Sequence, residues 1–417
     1  DQNADGYLDL VCSNGGDARV NAADTLRPAG KCLILSSLNG EMLGSISTPD
    51  QKETYFSPLL IESGSISEVI LGTGGETVGG GVYKIPLDSL ANNSAHPPER
   101  LVVNSTKGFV AVPSLGDFTK DGIADLAIPG LKESIYVLDG QSFQKVWEIT
   151  LPQAEHYVSP TIGEFTGDDQ LDIFAAYGIG NWPFYQGFVQ VLIDGADGTI
   201  MWQDTSSVVQ FSSANALDWD NDGVDEVLFM DNYDAGFQQV RLTTQMVVRD
   251  FNDDRLSTIG PPRSGINFFS MPLIDDLEGD GKFEVVYMYQ TRNDNWYSMD
   301  GARVERFQLP VVPGRISWGR YLGNQGNGYH EVNIIAEMDM VADVPAIRVY
   351  PNPTTREVHL QNFTEGTFRL LTPAGQVVLN VQNQKTILLG DLAPGVYPFI
   401  LETSQGTGRG RLLIMRE

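Results

Sequence analysis

Short apolar runs alternate with polar turn residues along nearly the whole chain, and this pattern predicts β-strands rather than helices. Residues 109–152 show the repeating unit, with apolar runs at 109–113, 125–128, 134–138 and 145–149. Four short strands separated by turn residues predict an antiparallel meander. An apolar run of about 20 residues, the length of a membrane span, does not occur in this sequence. We therefore expect an all-β protein with no direct insertion into a membrane.

Acidic nonapeptides precede several of the predicted second strands. In residues 117–125, Asp-Phe-Thr-Lys-Asp-Gly-Ile-Ala-Asp, oxygen-bearing side chains stand at positions 1, 3, 5 and 9, and glycine stands at position 6. Related nonapeptides occupy residues 1–9, 164–172, 218–226 and 276–284. Because glycine permits a positive φ, the chain can turn at position 6 and bring the later oxygens round to the earlier ones. Such an oxygen cage suits Ca²⁺, which takes six to eight oxygen ligands.

The sequence therefore predicts up to five Ca²⁺ sites, each with side-chain ligands at positions 1, 3, 5 and 9 and a main-chain carbonyl ligand at position 7. The candidate ligands are Asp1, Asn3, Asp5, Tyr7, Asp9, Asp117, Thr119, Asp121, Ile123, Asp125, Glu164, Thr166, Asp168, Gln170, Asp172, Asp218, Asp220, Asp222, Val224, Glu226, Asp276, Glu278, Asp280, Lys282 and Glu284. The loop that begins at Glu164 departs from the pattern because Asp169 replaces the glycine. Asp, Asn and Gly also form ordinary surface turns, but five recurrences, each before an apolar run, favour metal binding.

The spacing of the nonapeptides predicts the architecture. They begin at residues 1, 117, 164, 218 and 276, so that successive intervals are 116, 47, 54 and 58 residues and the first interval spans two units. Degenerate copies at 57–71 and 323–335 bring the number of units to seven. Repeats of this length with four short strands each predict a seven-bladed β-propeller over residues 1–340. Since Asp1 already lies within a loop, we expect this propeller to be N-terminally incomplete.

The nonapeptides resemble the loops of FG-GAP repeats, also called VCBS-type repeats, which occur in the propellers of integrin α subunits. The resemblance covers roughly residues 1–338. It implies Ca²⁺ in the loops between the first and second strands of each unit. It implies no particular ligand or activity, because proteins with this fold include adhesins, lectin-like modules, lyases and scaffold subunits.

A second, smaller domain is predicted for residues 344–417, where six or seven short apolar runs indicate an Ig-like β-sandwich. Its Tyr-Pro-Asn-Pro segment at 350–353, its Gly-Val-Tyr segment at 395–397 and its basic last strand closely resemble the type A C-terminal sorting domain of the Bacteroidota type IX secretion system. The resemblance implies export through the periplasm by way of an outer-membrane translocon or shuttle barrel. The expected destination is the outer cell surface or the medium.

The net charge limits the classes of partner, whereas the cysteine positions do not decide between a disulfide and free thiols. The net charge of −27 argues against nucleic acid and anionic membranes as partners. Five bound Ca²⁺ ions would offset about ten of these charges. Cys12 and Cys32 fall on neighbouring predicted antiparallel strands. A cross-strand disulfide and two free thiols are both compatible with that placement.

The sequence contains no recognisable catalytic constellation. The histidines are scattered, and neither a Gly-x-Ser-x-Gly nor a His-Glu-x-x-His motif is present. The sequence thus favours a non-catalytic binding or adhesion protein whose propeller face contacts a glycan or another surface protein. One alternative is a secreted polysaccharide-degrading enzyme with a lyase-like propeller, and the other is a structural subunit of a surface assembly.

Overall fold

The computed structural model describes the whole chain except residues 4, 16–26, 64–65, 93–96, 183, 206–207, 296–300, 336–347, 351–353, 362, 364, 373–376, 391, 404–405 and 416–417. The described residues are strands, turns and a single short helix, α1 (Leu87–Asn92). The prediction of an all-β chain is therefore confirmed. Among these residues no helix is long and apolar enough to cross a membrane. The chain forms two compact units, residues 1–275 with 283–335 and residues 276–282 with 336–417.

The larger unit is a succession of antiparallel strands. In chain order they are β1 (Leu10–Asn14), β2 (Lys31–Leu35), β3 (Met42–Ser47), β4 (Leu59–Ser63), β5 (Ile66–Gly72), β6 (Gly80–Pro86), β7 (Glu99–Asn104), β8 (Ser114–Gly116), β9 (Asp125–Pro129), β10 (Lys132–Leu138), β11 (Lys145–Glu155), β12 (Thr161–Gly163), β13 (Asp172–Asn181), β14 (Phe184–Asp194), β15 (Ile200–Asp204), β16 (Asn215–Leu217), β17 (Glu226–Asp234), β18 (Leu242–Asp250), β19 (Arg255–Ser264), β20 (Leu273–Asp275), β21 (Glu284–Gln290), β22 (Ala302–Gln308), β23 (Arg315–Trp318) and β24 (Asn333–Ile334).

These strands form consecutive up-and-down meanders. Strands β4–β7, β8–β11, β12–β15 and β16–β19 make four-stranded meanders, whereas β1–β3 and β20–β22 make three-stranded ones. Within the four-stranded meanders the second strand is mostly buried on both faces, as all five residues of β9 are. The fourth strand is half-exposed and alternates polar with apolar residues, as β11 does. This gradient explains why the second strands read as continuous apolar runs in the sequence.

The first strands β8, β12, β16 and β20 have only three residues each. Strand β12 lies against β8, β16 and β23, and β16 pairs with β23 through Ala216 and Trp318. Trp318 is fully buried in an apolar core that also contains Phe118, Ile162 and Phe165. Successive meanders with their first strands innermost form a propeller-like arrangement. The number of seven blades stays a prediction.

One predicted first strand was misplaced. The apolar run 109–113 is not a strand, and β8 begins only at Ser114, directly after Pro113. Pro160 and Pro272 likewise stand directly before β12 and β20. Proline has no N–H to donate, so it is tolerated at the start of a strand but not within the hydrogen-bonded ladder.

The two cysteines lie on paired strands but face opposite ways. In the β1–β2 register Cys12 is opposite Leu33, and Cys32 is opposite Ser13. Since side chains alternate between the faces of a sheet, this offset of one residue puts the two thiols on opposite faces. Both cysteines are free, and burial raises the pKa of the Cys32 thiol to about 12.

The smaller unit contains two antiparallel sheets. Its strands are β25 (Arg348–Tyr350), β26 (Glu357–Gln361), β27 (Gly366–Leu371), β28 (Val377–Gln382), β29 (Thr386–Leu388), β30 (Gly395–Thr403) and β31 (Gly406–Ile414). The sheet orders are β25-β26-β29 and β28-β27-β30-β31. Both sheets contribute to one apolar core, which includes Val358, Phe368, Leu401 and Leu412. The Ig-like assignment stays a prediction, and residues 351–353 of the Tyr-Pro-Asn-Pro segment lie outside the described residues.

Candidate cation-binding loops

The acidic nonapeptides occupy equivalent places in the fold. Residues 117–125 join β8 to β9, residues 164–172 join β12 to β13, and residues 218–226 join β16 to β17. Residues 276–284 join β20 to β21, and residues 1–9 lead into β1. In each joining loop, position 1 follows the first strand immediately and position 9 is the first residue of the second strand. The two strands therefore fix both ends of every joining loop.

The backbone turns at position 6 in all five loops. Asp169, the residue that departs from the glycine pattern, adopts φ of 64°. The glycines at this position also have positive φ values: Gly6 88°, Gly122 86°, Gly223 93° and Gly281 81°. Aspartate tolerates this left-handed conformation better than most residues, so the 164 loop keeps the same turn. Position 4 also has a positive φ in the described loops, at Lys120, Gly167, Asn221 and Gly279.

The carboxylate at position 1 accepts hydrogen bonds from its own loop. Asp117 Oδ1 accepts the N–H of Asp121 at 3.0 Å, and Asp117 Oδ2 accepts the N–H of Gly122 at 2.9 Å. The same pair of bonds is made by Asp1, Asp218 and Asp276. Glu164, which is one methylene longer, accepts with Oε1 alone, from Gly167 at 2.5 Å and Asp168 at 3.1 Å.

The carboxylates at positions 5 and 9 also turn inward. Asp121 Oδ1 accepts the N–H of Ile123 at 2.8 Å, and Asp5, Asp168, Asp222 and Asp280 make the equivalent bond. Asp125 Oδ2 accepts the N–H groups of Phe118 and Thr119, both at 2.9 Å. Position 9 makes comparable bonds to position 2 in three further loops, at Asp9, Asp172 and Glu226. Each loop thus draws acidic oxygens toward its own backbone.

Several position-9 oxygens have no hydrogen-bond partner. Asp9 Oδ1, Asp172 Oδ1 and Glu226 Oε1 are buried and receive no hydrogen bond, although Asp172 is only 1% exposed and Glu226 is 0% exposed. A buried carboxylate oxygen without a partner is costly. Burial raises the pKa of Asp172 to about 7 and that of Glu226 to about 8. A divalent cation would satisfy such oxygens, so these residues fit Ca²⁺.

The loop at 218–226 brings its acidic ligands closest together. Oxygens of Asp218, Asp220 and Glu226, at positions 1, 3 and 9, all lie within 4.8 Å of one another. Within the described part of the chain, the other such acidic group is Asp220 with Asp250 and Asp253. There the Arg255 guanidinium donates to Asp220 at 2.5 Å and to Asp250 at 3.0 Å. Arg255 therefore offsets part of the charge of this second group, and one of its partners is Asp220, which the two groups share.

The other loops have Asn3, Thr119, Thr166 or Glu278 at position 3, so most of them offer fewer carboxylates at this place. Their role as ligands stays a prediction, as does that of the position-7 carbonyls of Tyr7, Ile123, Gln170, Val224 and Lys282. The Gln170 side chain points elsewhere, since its Nε2 donates to the Phe118 carbonyl at 3.0 Å.

His156 could have been a catalytic base, but its burial argues against that role. His156 packs against Tyr177 with ring centroids 5.3 Å apart. Burial lowers the pKa of His156 to about 3, which leaves it neutral and far from the useful range of a general base.

Two residues near the loops were not singled out in the sequence. Asp225, at position 8 of the 218 loop, is buried and accepts hydrogen bonds from Arg315 Nε at 2.8 Å and Ser317 Oγ at 2.9 Å. The only sequence signal is an additional acid beside position 9. Asp225 and Arg315 are 90 residues apart, so the sequence alone does not indicate their contact.

Comparison with known proteins identifies the C-terminal region. Residues 348–415 match the family described as "Secretion system C-terminal sorting domain". That domain marks proteins exported by the type IX secretion system to the cell surface or the extracellular space. The chain is therefore a secreted cargo protein, and its sorting domain interacts with the type IX machinery. No curated protein sequence matches the chain.

The chain is also distantly similar to several solved structures. BamB from Moraxella catarrhalis is 10% identical over 97% of this chain and 100% of its own, with a TM-score of 0.32. Sqt1 from Saccharomyces cerevisiae is 12% identical over 95% of this chain and 80% of its own, with a TM-score of 0.37. The quinohemoprotein alcohol dehydrogenase ADHIIG from Pseudomonas putida HK5 is 8% identical over 96% of this chain and 72% of its own, with a TM-score of 0.36. Likenesses this weak assign no activity to the chain.

Proposed function

We propose that residues 1–340 form a calcium-binding β-propeller of the FG-GAP type and that the exported chain acts as a non-catalytic binding or adhesion module. The observation that carries this proposal is the repeated hydrogen-bond pattern of the five loops. In each, the position-1 and position-5 carboxylates hold the loop backbone. Ordinary surface turns have no reason to repeat this network at the same place in successive meanders.

The proposed ions would stabilise the loops. The chain carries a net charge of −27, and the loops concentrate acidic groups at one end of the strands. Bound Ca²⁺ would offset the charge of the converging carboxylates and supply the partner that Asp172 Oδ1 and Glu226 Oε1 lack. The loops would then hold the first and second strands of each meander in fixed register.

The opposite ends of the strands support a recognition role. The cation loops join first to second strands, so the connections between second and third strands lie at the other end of each meander. There Phe184 is 80% exposed at the β13–β14 connection, and Phe237 is 97% exposed between β17 and β18. Exposed aromatic side chains on neighbouring loops are typical of interaction surfaces. A glycan or a surface protein is the proposed ligand.

Three measurements test this proposal. Calcium titration of the EDTA-treated chain by calorimetry should show saturable binding, and a glycan array with and without EDTA should show binding that needs calcium. An activity screen on neutral and acidic polysaccharides should show no turnover. Turnover without stable binding would favour the polysaccharide-degrading enzyme, and absence of calcium binding would remove the basis of the proposal.

A further inference from the structure

Asp225 ties the 218 loop to the loop before it. The Asp225 N–H donates to the Glu164 carbonyl at 2.7 Å, and Asp225 Oδ2 accepts the Glu164 N–H at 3.1 Å. Glu164 is position 1 of the 164 loop. Asp225 is not itself a predicted ligand. It nevertheless hydrogen-bonds to both the N–H and the carbonyl of Glu164, the first predicted ligand of the neighbouring loop.

Arg315 extends this contact to both position-1 residues, Glu164 and Asp218. Its Nε donates to Asp225 Oδ1 at 2.8 Å, and its Nη2 lies 4.0 Å from Glu164 Oε2. Its main-chain carbonyl accepts the Asp218 N–H at 3.0 Å. The interaction with Asp225, Asp218 and Glu164 helps to raise the pKa of Arg315 despite the opposing effect of burial. One partly buried ion pair thus touches the start of two loops.

The backbone before Arg315 is held equally closely to the 218 loop. The Gly314 N–H donates to the Asp218 carbonyl at 2.8 Å. A Cβ on Gly314 would lie 2.5 Å from Asp218 Oδ2 and 2.9 Å from Asn221 Oδ1. Residues 314–315 therefore lie directly against Asp218, and Arg315 also bonds to Asp225.

We propose that Asp225 and Arg315 couple the 164 and 218 loops, so that a cation bound in either loop raises the affinity of the other. This inference rests on the proposed calcium binding. An ion in the 218 loop would fix residues 218–226, including Asp225, and Asp225 would then fix the Glu164 backbone before the second ion arrives. Preorganisation of this kind gives positive coupling, which by linkage is reciprocal. Asp225 and Arg315 act here as positioning residues and not as ligands.

The 218 loop contains its own reporter. Trp219 is at position 2 of that loop, so excitation of Trp219 should sensitise the luminescence of Tb³⁺ bound there, and Ca²⁺ competition then gives the affinity of this loop. Trp219→Phe should remove the signal, which assigns it. The 164 loop is disabled by Asp168→Ala, and the matched control is Asp121→Ala, at the same position of the 117 loop.

The coupling predicts a specific pattern of affinities. Asp168→Ala should weaken Ca²⁺ binding at the 218 loop about tenfold, within the usual range of coupling between sites, while Asp121→Ala should change it less than twofold. In an Asp225→Asn or Arg315→Met background, Asp168→Ala should have no further effect on the 218 loop. Asp225→Asn removes the carboxylate charge that pairs with Arg315 but keeps the size of the side chain, so one variant retains much of the local structure if Arg315→Met does not fold.

The outcomes separate the coupling from the calcium proposal. Unchanged or tighter binding at the 218 loop in Asp168→Ala would overturn the coupling, since tighter binding would mean that the two ions repel. A full Asp168→Ala effect in both the Asp225→Asn and Arg315→Met backgrounds would also overturn it. Failure of the wild-type chain to bind Tb³⁺ or Ca²⁺ would instead refute the proposed function itself.

Discussion

The proposed calcium binding depends above all on buried carboxylates. Asp172 and Glu226 begin the second strands β13 and β17, and burial there raises the pKa of each carboxyl group. Each has one oxygen bonded to its loop backbone and one without a partner. Their charge is therefore unfavourable in the chain without metal and becomes favourable when a cation is close by.

Replacing Glu226 by glutamine should separate these two effects. In EDTA, Glu226→Gln should leave the melting temperature unchanged or raise it, because it removes a buried carboxyl group whose ionisation is unfavourable there. With Ca²⁺, the variant should lose the share of stabilisation due to this loop, about 2.7 kcal/mol at an ion concentration one hundred times Kd. Thermal unfolding measures both. The exposed Glu41→Gln is the control, and equal calcium stabilisation of Glu226→Gln and wild type would contradict the assignment.

His156 should give the chain a distinct acid sensitivity. Its folded-state pKa of about 3 lies below the ordinary value of 6.5, so acidification protonates the unfolded chain first. Stability from this group is complete above pH 6.5 and is lost as the pH falls toward 3, by up to about 1.4 kcal/mol per pH unit. The difference in unfolding free energy between wild type and His156→Gln should shrink accordingly between pH 7 and pH 4.5. A pH-independent difference would contradict the burial of a neutral imidazole.

At the scale of elements, the sequence predicted the loops better than the strands around them. Recurrent acids at fixed spacing located all five loops, and position 9 begins the second strand in the four joining loops. The three-residue first strands were not predictable, since strands such as β8 and β12 are too short to show a period. The one-residue offset of Cys12 and Cys32 depends on register, and the Asp225–Arg315 contact depends on packing across 90 residues.

The turn at position 6 should be sensitive to a methyl group. Gly122 has φ of 86°, and a Cβ there would meet no atom within 4 Å. Gly122→Ala should therefore destabilise the chain by about 1–2 kcal/mol through backbone conformation alone, and it should weaken calcium binding at this loop. Gly187→Ala, where a Cβ also meets nothing but φ is not positive, is the matched control. Chemical denaturation that gave equal effects for both would contradict the turn.

At the scale of the whole molecule, the chain combines a cargo region with a C-terminal sorting domain that directs export. Residues 348–415 are the sorting domain, and the larger unit has its own cores, which are distinct from the core of the smaller unit. Removal of residues 348–415 should therefore retain the cargo inside the cell envelope. Fractionation of cells that express the full and truncated chains would measure this, and release of the truncated chain to the medium at the normal level would contradict the role of the domain.

The most direct test of the proposed calcium loops is the number of ions that the intact chain binds. After gel filtration in micromolar calcium, elemental analysis of the purified full-length protein should find up to five Ca²⁺ ions per chain, with one predicted for each of the loops at 1–9, 117–125, 164–172, 218–226 and 276–284. EDTA should remove them and lower the melting temperature. A folded chain that contains no calcium and melts at the same temperature in EDTA would contradict the account.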